Sequence, residues 1–135
     1  MADMIKSSGT PRSKVAPAAI AVMRPPIDME HLAHMTLGER SLEIEVLRLF
    51  DLQAELLLAR MREVGPEGIA TLAHTLSGSA KSIGAWRVAT AAEAAESAAK
   101  ESAPLDPAIA GLAACVEEAR RAIAGLLGAG ARTNG

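Results

Sequence analysis

No stretch of this chain alternates apolar and polar residues over the length of a strand, and that absence does most to restrict its fold. The Val, Ile and Thr residues never fall into period two, whereas Ala, Leu, Glu and Arg are abundant and the apolar residues recur at helical spacing. An all-α architecture follows. At 135 residues the chain suits one domain, in which folding buries roughly two-thirds of the unfolded chain's surface.

Start and stop signals divide the chain into helices. Residues 1–26 hold Ser, Pro, Ala and Lys without helical period and read as a disordered N-terminal tail. Its apolar run from Val15 to Met23 carries Pro17 and stops at Arg24-Pro25-Pro26, which does not fit a signal peptide. Asp28 is a good N-cap, and Ile27 and Leu32 stand where a hydrophobic staple would, so a short first helix runs to about Met35. Thr36-Leu37-Gly38-Glu39 spells a capping box for a long helix to about Arg62. Its apolar stripe is expected to include Leu42, Val46, Leu49, Phe50, Leu56, Leu57 and Met61. Gly65 and Pro66 break it and start a third helix, with Pro66 at N1 and Glu67 in the first turn, which runs to Ile83 and stops at Gly84. A fourth helix from Ala85 to about Glu101 turns Val88, Ala92, Ala95 and Ala99 inward. Asp106-Pro107 reads as N-cap and N1 of a last helix, and the Gly-rich residues 128–135 as a flexible C-terminal tail. Long amphipathic helices joined by short loops make antiparallel neighbours, so residues 27–127 are expected to form an up-down four-helix bundle with a short extra N-terminal helix.

Charge and composition exclude several functions. A formal net charge of −2 and a pI near 5.9 leave no basic stripe for nucleic acid, and Phe50 and Trp86 are too few aromatics for a stacking platform. No segment approaches the roughly 18 consecutive apolar residues of a membrane span. Cys115 is the only cysteine, so neither an internal disulfide nor a Cys-based zinc site can form, and it reads as a core residue of the last helix. The expectation is a cytoplasmic, monomeric, diffusible protein. No P-loop, nucleotide-binding glycine loop or hydrolase triad is present, so a kinase activity of its own is not expected.

The chemistry-bearing residue is His74. At 100° per residue, Ile69, Leu72, Ala73, Leu76, Ala80 and Ile83 lie about 100–180° round the helix from it, whereas Ser77, Gly78 and Lys81 fall within about 60°. The imidazole is therefore expected opposite the core, beside a hydroxyl, a missing side chain and a cation. A helix-interior glycine costs about 0.8–1 kcal/mol relative to Ala, and access to His74 explains Gly78 better than stability does.

His74, Leu76, Gly78, Ser79, Gly84 and Ala85 match a known pattern. With them the chain resembles the histidine-containing phosphotransfer (HPt) domains of bacterial multistep phosphorelays, whose motif runs His-x-Leu-Lys-Gly-Ser/Ala with a further Gly ten residues after the His. The similarity extends from about Pro26 to Leu127. It implies that His74 Nε2 takes a phosphoryl group from a receiver-domain aspartate and passes it to another receiver. The implied partners are response-regulator receiver domains and a hybrid histidine kinase. It also implies no cofactor of the chain's own, the Mg²⁺ belonging to the receiver.

One position departs from the pattern. Ser77 stands where the family has a Lys that helps hold the phosphoryl oxygens. Lys81, about 20° round the helix from His74 and about 10.5 Å further along it, is expected to compensate, with Ser77 adding a hydroxyl hydrogen bond. Glu67, Ala70 and Thr71 on the same face are expected to touch the receiver. The alternative reading is a degenerate, non-catalytic helical module that binds receivers or other partners without carrying phosphate.

Other polar residues read more plainly. His31 and His34 lack a third ligand on their face and are taken as surface residues. Glu93, Glu96, Lys100 and Glu101 read as a solvated face with an i,i+4 pair from Glu96 to Lys100. Trp86 is expected to brace the turn after Gly84.

Overall fold

A computed structural model describes residues 24–134, and the described residues form five helices and no strand. They are α1 (Met29–Met35), α2 (Arg40–Met61), α3 (Pro66–Ile83), α4 (Trp86–Lys100) and α5 (Leu105–Asn134). Residues 1–23 of the expected tail lie outside the described residues. Helix α3 packs on α4, α4 on α5, and α2 on both α3 and α5, which closes a ring of four up-down helices, while α1 lies on α3. The core is one cluster in which Leu32, Leu47, Met61, Leu76, Leu112, Val116 and Ile123 are almost fully buried. Each such side chain contributes about 1.5–3 kcal/mol by leaving water.

Local chemistry accounts for the helix ends. Asp28 caps α1 by accepting from the His31 N–H at 3.1 Å. Pro66 occupies the first turn of α3, and Gly84 ends that helix in the left-handed conformation with φ 79°. A Cβ at Gly84 would stand 2.8 Å from Asp28 Cβ and 2.9 Å from its carbonyl oxygen, so this glycine also lets the entry to α1 sit against the α3–α4 turn. The Asp28 N–H donates to the Gly84 carbonyl at 2.9 Å, and the Trp86 indole N–H donates to Asp28 Oδ2 at 2.9 Å. Trp86 braces the turn as expected. It also meets the half-buried ring of His31 at a tilt of 58°, centroids 4.8 Å apart, and lies under the Arg24 guanidinium at 5.7 Å.

Three expectations change. Thr36 does not open α2: it ends α1, its hydroxyl donating to the Leu32 carbonyl at 2.8 Å. Leu37 and Gly38 then turn through positive φ, and Glu39 precedes α2 without a side-chain cap. The inner face of α2 is Glu43, Leu47, Phe50, Ala54, Leu58 and Met61, so Leu42, Leu49 and Leu56 point outward. This helix carries two apolar stripes, and its packing against α3 and α5 selects the one that also holds Phe50. Glu43 goes inward with hydrogen bonds from Thr36 and Arg40, so its carboxylate is not left unpaired.

The last helix is longer at both ends than its signals indicate. It starts at Leu105, which leaves Asp106 in the first turn, where its charge favours the helix dipole. It continues through Gly128 to Asn134, past the expected end at residue 127, since each glycine costs only about 1 kcal/mol and the intervening alanines propagate helix.

Candidate functional site

The α3–α4 contact is built largely from alanine. Ala73 and Ala80 of α3 are fully buried, as are Ala92 and Ala95 of α4, with Ala89 and Ala99 nearly so. Small side chains let two helices approach closely, so longer polar side chains at the edge of the contact reach across it. His74 and Glu96 meet in this way. His74 stands opposite the buried residues Ile69, Ala73, Leu76, Ala80 and Ile83, and its side chain is 77% exposed.

Glu96 fixes the state of the imidazole. Both of its carboxylate oxygens lie 3.3 Å from His74 Nδ1, and Lys100 Nζ lies 2.9 Å from Oε2. The ammonium of Lys100 lowers the Glu96 pKa below its ordinary 4.5, partial desolvation opposes this, and the bond to His74 lowers it further. Near neutral pH Glu96 is ionised and can only accept a hydrogen bond. Nδ1 must therefore carry a proton, so in the neutral ring the lone pair lies on Nε2. Nε2 makes no hydrogen bond among the described residues. An exposed imidazole with a fixed tautomer is a nucleophile ready for an electrophile brought from outside.

Beside the ring lies an open hollow of about 330 Å³ lined by Ala70, Thr71, His74, Thr75, Glu96 and Lys100. Gly78, one turn further on, is exposed, and a Cβ there would meet nothing within 4 Å. Glu67 is exposed in the first turn of α3 and lies outside the hollow. Ala70 and Thr71 therefore share the His74 hollow, whereas Glu67 stands apart from it on the same helix.

Ser77 and Lys81 stand elsewhere than expected. Ser77 is only 4% exposed, because α4 covers that flank of α3, and its hydroxyl donates to Glu93 Oε2 at 3.4 Å. Lys81 Nζ pairs with the same oxygen at 2.7 Å. Both point to Glu93 and not into the hollow. The cation that lines the hollow is Lys100, and the carboxylate that holds the imidazole is Glu96. Sequence reasoning put both on a solvated face. Their spacing of four residues was a legible signal of a pair, but only the α3–α4 contact shows that the pair meets His74.

The remaining expectations about metal and membrane concern absences. Among the described residues no group of three or more His, Cys, Asp or Glu side chains is placed to hold a metal ion. No described helix is long and apolar enough to cross a membrane.

The site is thus a solvent-facing histidine set between a lysine-bound carboxylate and an open glycine on a four-helix bundle. The family model of the Hpt domain matches residues 45–122, more than half of the chain, and the protein belongs to this family, whose members serve as phosphotransfer modules in phosphorelays and interact with receiver domains. No curated protein and no solved structure is significantly similar to the chain.

Proposed function

We propose that His74 is the phosphoacceptor and that the protein carries a phosphoryl group from the aspartate of one receiver domain to that of another. The observation that carries this reading is the pairing of Glu96 with Nδ1, which leaves Nε2 as the free nucleophile on an exposed face. The Nε2 lone pair forms the N–P bond while the P–O bond to the receiver's aspartate breaks, and the electron pair leaves on that carboxylate. The proton stays on Nδ1, shared with Glu96, whose negative charge offsets the positive charge the ring acquires. The return step reverses these bonds on the second receiver.

Mg²⁺ belongs to the receiver in this scheme, and the chain itself needs no cofactor. Phosphate enters from ATP through a hybrid histidine kinase, and the exchange takes place in the cytoplasm. Lys100 supplies the cation beside the phosphoryl oxygens because it lines the hollow, whereas Lys81 and the Ser77 hydroxyl are turned to Glu93 outside it. Ala70 and Thr71 at the hollow, with Glu67 on the adjoining turn, form the receiver surface on α3.

Incubating the wild type and a His74→Gln variant with radiolabelled phospho-receiver domains tests the reading. Acid-labile, base-stable label on the wild type alone is the expected outcome. Binding to a receiver without any transfer of label would instead assign the chain to non-catalytic docking.

A further inference from the structure

Helix α2 presents a second apolar stripe that no other element among the described residues covers. Leu42 is 42% exposed, Leu49 61%, Leu52 56% and Leu56 57%. Of the five exposed leucines among the described residues these are four, so the exposure is concentrated on one helix face and not scattered as incidental surface leucines are. Leu42, Leu49 and Leu56 recur every seven residues, with Leu52 three after Leu49, which is the repeat of a seam between two helices.

We propose that this stripe pairs with the same stripe of a second copy of the chain, the two α2 helices running antiparallel about a two-fold axis. The charges beside the leucines choose both the partner and the direction. Arg48 and Glu55 are exposed, seven residues apart, on one flank of the stripe. When Leu49 of one copy packs on Leu52 of the other in an antiparallel pair, Arg48 faces Glu55 of the second copy, and the two-fold axis makes that contact twice. The same register sets Glu45 opposite Leu56 of the second copy, with Arg60 of that copy one turn further on to take its charge. A parallel pair in register would instead oppose Glu45 to its own counterpart within the seam, a like-charge contact that disfavours it.

The rest of the structure accommodates this pairing. Arg48 takes part in no ion pair among the described residues. Glu55 lies 3.7 Å from Arg120 Nη1, but the closer partner of Arg120 is Asp51 at 2.7 Å, so the Glu55 carboxylate retains capacity for a second cation. No residue of α2 lines the His74 hollow, so both hollows of the pair stay open. The proposal departs from the monomer expected from the sequence and does not depend on what His74 does.

Sedimentation equilibrium of the full-length protein across the micromolar range tests it. The expected result is a concentration-dependent mass that rises from 13.9 kDa toward twice that value. Leu49→Glu combined with Leu52→Glu should weaken association by at least about a hundredfold while the circular dichroism of the bundle is retained. Arg48→Glu alone should weaken it by about tenfold, and adding Glu55→Arg should restore it. A wild type that stays monomeric throughout, or a dimer indifferent to the leucine changes, overturns the proposal. Failure of the charge swap to restore association overturns the antiparallel arrangement. A monomer whose receiver binding falls on Leu49→Glu would give the stripe to the receiver instead.

Discussion

Replacing Gly78 separates stability from access, because the two should move in opposite directions. The backbone at Gly78 is helical and a Cβ there meets nothing within 4 Å, so alanine introduces no clash. Alanine is about 0.8–1 kcal/mol better than glycine in a helix interior, and leucine nearly as good. For a bundle of this size that gain raises the melting temperature by about 3–6 °C. Transfer should fall at the same time. A leucine one turn from His74 occupies the space through which a receiver's aspartate must come within attacking distance of Nε2. Misplacing reacting atoms by 1 Å can cost about a hundredfold in rate, so Gly78→Leu should lose at least that factor and Gly78→Ala less. Thermal unfolding by circular dichroism and label transfer from a phospho-receiver measure the two effects on the same samples. A Gly78→Leu protein that is more stable and still transfers at the wild-type rate would refute the access argument. One that is less stable would refute the claim of open space.

Other changes probe the remaining parts. Lys100→Ala should slow label transfer to His74 by a few-fold, in line with the 0.2–1 kcal/mol or so of an exposed charge pair, while Lys81→Ala should leave it unchanged. Gly84→Ala should cost about 2–4 kcal/mol in urea unfolding, from a left-handed backbone and a collision with Asp28, whereas Gly38→Ala, also at positive φ but in open space, should cost only about 1–2 kcal/mol. Equal costs at the two glycines would show that close approach of Asp28 is not what Gly84 permits. The Trp86 indole, and next the His31 N–H, hold the Asp28 carboxyl below its ordinary value of 3.8. A depressed carboxyl stabilises the fold above that value and loses its contribution as pH falls through the lower folded value. Trp86 fluorescence should therefore report release of α1 only below about pH 3.8, and Asp28→Asn should abolish that acid step.

Much of the molecule is legible one residue at a time. Asp28, Pro66 and Gly84 act through their own backbone preferences and hydrogen-bonding groups, so the bounds of α1 and α3 follow from local chemistry alone. The position of His74 opposite the core follows likewise, because Ile69, Ala73, Leu76, Ala80 and Ile83 form the only apolar face of α3. Helix α2 is different. With leucines on two faces, its pattern admits either face as the core, and neighbours distant in sequence decide between them.

The site divides along the same line. The sequence alone determines that α3 carries an exposed histidine with an open glycine one turn away, since both facts depend only on helical geometry. The tertiary structure alone decides which polar groups reach that histidine. Helix α4 packs against α3 through alanines, and its register brings Glu96 to Nδ1, Lys100 into the hollow and Glu93 to Ser77 and Lys81. A rotation of α4 by one residue, about 100°, would replace all three contacts without changing any residue of α3. The rotation and height of a helix are set by the packed alignment of its whole buried face, so the identity of the residues around His74 is a property of the bundle and not of the motif.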